Sequence, residues 1–426
     1  MNLLIKGGHL IDPANEIDTV SDIYIADGKV TALGEAAQSF TADTQINAAG
    51  LIVCPGFIDL FASIPEPGFE HKGTITTETR AAAAGGVTTL CCPPNTSPVI
   101  DSPSVATLIQ ELARQVRCCR VKPIGAITNG LKGTQLSEIY ALKEAGCIGI
   151  TNMRQPFADN AVLLRCLEYA ATHQMTVFFS STDIALEQGG CVHSGSYSTR
   201  LGLAGIPETA ETVALVRDLL LVEQSGVRAH FGQLSTARSV ELIATAQARG
   251  IPVTADVSIQ HLIATEEDIH DFNALYHVQP PFRAKSDRDA LRQGVKEGVI
   301  SAICSYHQPH EIAAKMAPFA DTAPGISTIE TLLPLALQLV QENLLDLPEL
   351  IQRLTIGPAT AANIGSGSLA VGETADICIF NPTERWQVQA KTLFSLGHNT
   401  PLLNNEVSGR VCFTLLAGER VHQAQR

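Results

Sequence analysis

Hydrophobic and polar residues change their spacing twice along this 426-residue chain. Up to about residue 50 the apolar positions recur every second residue, as in SDIYIADGKVTAL, where Asp27-Gly28 divides two alternating arms. That period and that dipeptide predict a hairpin. From about residue 52 the apolar runs become short and continuous: LIVCPGFIDL, GVTTLCCPP, VKPIGAIT, CIGITN, TVFFSS, RAHFGQLS, IPVTADVS and ISAICSYH. Amphipathic stretches of helical period separate several of them, among them SVATLIQELARQVR, SEIYALKEAG, ETVALVRDLLLVEQSG and SVELIATAQARG. Strands that are apolar throughout are covered on both faces, and eight of them interleaved with helices predict an α/β fold, a (β/α)8 barrel. After about 365 short strands return in ADICIF, RWQV and GRVCFTLLAGERV. The predicted organisation is a barrel over 53–365 and a small composite β domain from the two chain ends, 1–52 and 366–426.

Composition narrows the function classes. Hydrophobic residues make up 45% and charged residues 17%, enough apolar material for a large core and the reverse of a disordered chain. A net charge of -14 repels phosphate backbones and argues against nucleic acid as a partner. No apolar run approaches the roughly 20 residues of a membrane helix. The opening MNLLIKGGHLID reads as a strand, not a signal peptide. None of the eleven cysteines forms a CxxC pair, and many lie inside apolar runs, so they read as buried thiols of a cytoplasmic protein.

In such a barrel the chemistry sits at the carboxyl ends of the strands. The stretch PGFIDLFASIPEPG, 55–68, resembles the first-strand signature of the dihydroorotases and related cyclic amidohydrolases, which read Asp-x-His-x-His-x-Arg-Glu-Pro-Gly there. The likeness continues through TRAAAAGGVTTLCCPPNTSPVID, RLGLAGIPETAE, QPPFRAKSDRDAL, PGISTIET and GSLAVGETADICIFNP. It implies a metal-dependent amidohydrolase barrel whose members activate water on one or two divalent metals.

The resemblance also implies which positions held those metals, and here they carry other residues. The histidine pair is replaced by Phe61 and Ser63, and the substrate-gripping arginine by Pro65. The bridging position falls at Asn152 and Met153, the fifth-strand histidine at Ser180, and the sixth-strand ligand at Gln233. Tyr306 stands where the family has the aspartate that binds metal and acts as base. Phe has no lone pair, Asn and Met cannot bridge cations, and Phe61 and Tyr306 would fill space that metal and substrate need. Asn95, His230, His261, Arg283, His307 and His310 persist. The histidines read as structural, Asn95 as a turn former, and Arg283 as a loop salt bridge or subunit contact.

These losses imply a chain with no catalytic residues and no metal cofactor. The resemblance then points to the inactive dihydroorotase-like chains of pyrimidine biosynthesis, which hold the aspartate transcarbamoylase catalytic chain in a larger complex. The expected assembly is a hetero-oligomer, with a homodimer as a further expectation. The competing expectation is a cyclic-amide hydrolase with zinc rewired onto His230, His307 and His310.

Overall fold

The computed structural model describes residues 2–35 and 40–424. Five strands open the chain: β1 (Asn2–Asp12), β2 (Ile17–Ala26), β3 (Lys29–Leu33), β4 (Thr44–Asn47) and β5 (Ile52–Pro55). Asp27 and Gly28 both take positive φ in the β2–β3 turn, the conformation that Asp-Gly supplies in a two-residue hairpin. The last three strands, β16 (Ile377–Gln387), β17 (Glu406–Leu416) and β18 (Glu419–Gln423), join the first five in one mixed sheet. Its order is β18-β17-β16-β5-β1-β2-β3, with β4 on β1. Its core takes Leu3, Ile5, Ile23 and Val53 from one end of the chain and Ile377, Ile379 and Leu415 from the other. ADICIF and RWQV form one strand rather than two, because β16 crosses the polar NPTE segment with a register shift between Asn381 and Arg385.

One residue after β5 the chain enters the barrel. Its strands are β6 (Phe57–Asp59), β7 (Val87–Cys92), β8 (Arg120–Ala126), β9 (Gly149–Thr151), β10 (Thr176–Phe179), β13 (Ala229–Phe231), β14 (Val253–Ser258) and β15 (Ala302–Cys304). Successive strands pair in parallel, and β11 (Val192–His193) and β12 (Gly205–Ile206) form a separate small ribbon. A parallel bridge between Ala62 and His307 links the first strand to the last. The helices that follow the strands are α1 (Ile75–Ala84), α2 (Pro103–Val116), α3 (Ile139–Glu144), α4 (Asn160–Thr172), α5 (Ile184–Glu187), α6 (Ser196–Leu201), α7 (Thr209–Ser225), α8 (Ala237–Ala248), α9 (Ile259–Ile263), α10 (Lys285–Glu297) and α11 (Leu332–Gln341).

The helix limits follow from local chemistry. Thr74, Asp159 and Thr236 accept backbone N–H bonds at the starts of α1, α4 and α8, and Gly226 and Gly298 close α7 and α10 in left-handed conformation. All the cysteines are free, with Cys118 and Cys412 half-buried and the rest buried. Among the described residues no helix is long and apolar enough to cross a membrane.

Candidate functional site

All the substituted positions but Pro65 lie just past barrel strands. Phe61 and Ser63 follow β6, Asn152 and Met153 follow β9, Ser180 follows β10, Gln233 follows β13 and Tyr306 follows β15. Met153, Gln233 and Tyr306 each sit two residues beyond their strand, with φ of 55°, 63° and 47°. Left-handed backbone is uncommon for such side chains and gathers where a chain must aim a group at a site. The barrel mouth therefore keeps a site-forming backbone under Met153, Gln233 and Tyr306.

Those side chains fill the mouth. The rings of Phe61 and Tyr306 stack at 4.8 Å between centroids, 23° apart, and join Leu60, Phe178, Cys91 and Cys304 in one apolar cluster. The Tyr306 hydroxyl donates to Asp256 Oδ1 at 2.8 Å. Burial, and after it the Asp256 charge, holds that phenol well above its ordinary pKa, so it stays a donor. Gly232 makes this contact possible, since a Cβ there would lie 2.5 Å from the hydroxyl oxygen. Asp256, on β14, also accepts the Gln233 N–H at 2.8 Å and contacts His230 Nε2 at 2.9 Å. Three protein groups thus meet its two oxygens.

The remaining histidines also bond within the protein, although His310 Nδ1 is buried without a hydrogen-bond partner. His230 Nδ1 meets Thr254 Oγ1 at 2.8 Å. His307 Nδ1 accepts from Thr328 N, which leaves Nε2 to donate to the buried Glu78 carboxylate at 2.7 Å. His261 Nε2 donates to Pro280 O at 3.1 Å while Nδ1 meets Ser258 Oγ; burial lowers its pKa to about 4, so the ring is neutral. His310 Nε2 donates to Pro324 O at 3.0 Å. His230, His307 and His310, the residues of the expected rewired zinc site, turn to Asp256, Glu78 and Pro324 rather than to one another. Among the described residues no three His, Cys, Asp or Glu side chains are placed to hold a metal ion.

Other positions take structural work. Asn152 Oδ1 accepts from Thr128 Oγ1 at 2.6 Å and its Nδ2 donates to Gln155 O. Ser63 N donates to His307 O at 2.9 Å, Pro65 is buried, and Asn95 is exposed in the loop after β7. Arg283 corrects the sequence expectation. It is buried and makes neither a salt bridge nor a surface contact; Nη1 donates to Ile206 O at 2.6 Å and contacts His193 Nδ1, and Nε donates to Ser235 Oγ. It ties the β11–β12 ribbon to the loops after β13 and β14.

Sequence reasoning missed Asp256, Glu78 and Asp59. Asp256 stands in plain view in IPVTADVS, as a lone carboxylate in an apolar strand. Asp59, fully buried, accepts from Phe61 N at 3.2 Å and from Ser305 N, and burial raises its pKa to about 6. What remains open is a pocket of about 200 Å³ lined by Asn152, Met153, Phe178, Ser180, Arg217 and Asp218. Beside Gln233 and Ser180 only about 10 Å³ is left, the limit for one water. A roomier groove of about 680 Å³ is lined by Pro334 of α11 and by Trp386, Gly409, Val411 and His422 of the end sheet.

Known proteins add an independent finding. A family model described as dihydro-orotase-like matches residues 50–239. A dihydroorotase-like protein of Pseudomonas aeruginosa (strain PAO1) is 53% identical over 423 residues, 99% of this chain and 100% of that protein. A dihydroorotase of Geobacter sp. (strain M21) is 40% identical, with 100% of both chains covered. Among solved structures, the L-hydantoinase (dihydropyrimidinase) from Arthrobacter aurescens superposes with a TM-score of 0.90 at 24% identity, covering 100% of this chain and 96% of that one.

Proposed function

The chain belongs to the dihydroorotase-like family, and we propose that it is a non-catalytic member acting in pyrimidine biosynthesis. The observation that carries this reading is the Phe61–Tyr306 stack, with its hydroxyl on Asp256, standing where the family's chemistry needs histidines, a metal and a base. A catalytic zinc uses about three protein ligands and an open position. His230 and His307, which survive near the mouth, already bond Asp256 and Glu78 within the protein. The proposed role is structural or regulatory, as a cytoplasmic partner of the aspartate transcarbamoylase catalytic chain. Support for that partner is the family resemblance together with the coherent strands, caps and chain-end sheet around a filled mouth. Random decay would damage those features as readily as the ligand positions.

Two measurements test the two parts separately. Elemental analysis and a dihydroorotate assay on purified protein are expected to find neither stoichiometric zinc nor interconversion with carbamoyl aspartate. Tightly held zinc with activity lost on chelation sinks the non-catalytic reading. The chain and the host's transcarbamoylase, mixed at micromolar concentration, are expected to elute as a species larger than either alone. Separate elution at low and moderate salt sinks the partner assignment.

A further inference from the structure

The groove of about 680 Å³ beside the end sheet shares no residue with the substituted positions of the barrel mouth. Part of its wall is aromatic. Trp386, on β16, is half-buried, and its Nε1 donates to Gly409 O at 2.8 Å, which fixes the indole across β17. Gly409 lets β17 approach the barrel, since a side chain there would collide with Leu337 of α11. Phe394 is 45% exposed and meets His422 edge-on, with ring centroids 6.0 Å apart. Burial, and after it the Arg410 charge, lowers the His422 pKa to about 4, so that ring is neutral as well. Three uncharged rings thus border one groove.

Cations border the same space. Arg385, Lys391 and Arg410 line the groove, in a chain whose net charge is -14. Arg385 pairs with Glu406 at 3.2 Å and Arg410 with Glu384 at 2.8 Å, and neither carboxylate lines the groove. Ion pairs so open to water hold weakly, so both guanidinium groups can turn to a phosphate that offers them two oxygens. Lys391 is exposed and makes no ion pair among the described residues. The one carboxylate in the lining is Glu330, which accepts the Phe394 and Ser395 N–H groups. Burial raises its pKa to about 7, so near neutral pH it opposes an anion with only part of a charge. Gln389 and Gln423 add amides that can donate to or accept from the edge of a ring. A simple anion would satisfy the cations and leave Trp386 and Phe394 bare, and an apolar ligand would do the reverse. A base with a phosphate chain satisfies both, because bases stack on aromatic faces and phosphates take Arg and Lys.

We infer that this groove is a nucleotide-binding site, with the base against Trp386 and Phe394 and the phosphates on Arg385, Lys391 and Arg410. This goes beyond the transcarbamoylase reading and stands without it. Trp386 is the sole tryptophan of the chain, so its emission reports on the groove directly. Titration of the full chain with ATP and, separately, with UTP is expected to change that emission and to release heat in calorimetry. Adenosine, uridine and inorganic tripolyphosphate are each expected to bind about tenfold more weakly or worse, since each keeps half of the contacts. Lys391→Glu and Phe394→Ala, both at exposed positions, should each weaken the better nucleotide by about tenfold with an unchanged circular-dichroism spectrum. If either variant loses that spectrum, Gln423→Arg decides: it adds a cation at the rim and should tighten the nucleotide by about threefold. Neither emission change nor heat with either nucleotide up to millimolar concentration overturns the inference. Tripolyphosphate binding as tightly as the nucleotides overturns it too, since the rings would then play no part. So does nucleotide binding that Lys391→Glu and Phe394→Ala leave intact, or an affinity that Gln423→Arg does not raise.

Discussion

Tyr306 shows how one side chain can both occupy the barrel mouth and anchor itself there. Its ring stacks on Phe61 and its hydroxyl donates to Asp256 at 2.8 Å. Tyr306→Phe keeps the ring and removes one of the donors on a buried carboxylate, a loss worth about 1–3 kcal/mol. Urea denaturation should register it as a lower midpoint with an unchanged slope; an unchanged midpoint would mean that the hydroxyl contributes nothing. Asp59 carries a pH signature. Its pKa rises from an ordinary 3.8 to about 6 in the fold, so between those values the folded state holds the proton that the unfolded state has released. Stability from this group is therefore present at low pH and lost as pH rises through the window, up to about 3 kcal/mol for a shift of this size. Asp59→Asn has no such proton, so its stability relative to wild type should improve by that order between pH 4 and pH 8. A constant difference would refute the raised pKa. Phe61, Ser63 and Tyr306 were legible in the sequence because they interrupt a motif. Asp256 was not, because its importance comes from three donors brought from β13 and β15 and their loops, which no local pattern records.

Elements explain why those donors converge. Three barrel strands, β9, β13 and β15, end with a non-glycine residue in left-handed conformation two positions on, and the turn swings each side chain over the mouth. Holding an L-residue there costs roughly 1–2 kcal/mol. Gln233→Gly removes that cost and keeps the backbone N–H that Asp256 accepts, so it should raise stability by up to about 1 kcal/mol in denaturant titration. A destabilised variant would show that the Gln233 side chain does more packing than the half-buried site suggests. Strand and helix positions were readable from period alone, since parallel barrel strands are apolar on both faces and helices are not. The joining of ADICIF and RWQV was not, because a bulge lets a strand continue through Asn381-Pro382, which reads locally as a break. Arg283 was misjudged for a related reason. Its acceptors, Ile206 O and His193, lie on a ribbon 77 and 90 residues away.

At the scale of the whole molecule, burial and hydrogen bonds join three apolar clusters. The chain ends share one sheet core, the barrel strands share another, and the mouth adds a third cluster around Phe61 and Tyr306. In an amidohydrolase with an occupied centre, metal bound only by the folded state adds to stability by mass action, about 2.7 kcal/mol at a hundred times its Kd. Stripping such a metal lowers the melting temperature, and restoring it raises it again. Here the positions past β6, β9, β10, β13 and β15 offer Phe61, Ser63, Asn152, Met153, Ser180, Gln233 and Tyr306, and no three metal-binding side chains converge among the described residues. The melting temperature should therefore be the same in chelator, in buffer alone and in micromolar zinc. Scanning calorimetry on one preparation under the three conditions makes the comparison. A chelator-induced drop of a few degrees that zinc reverses would reveal a folded-state metal site, and with it a chemistry that the filled mouth argues against.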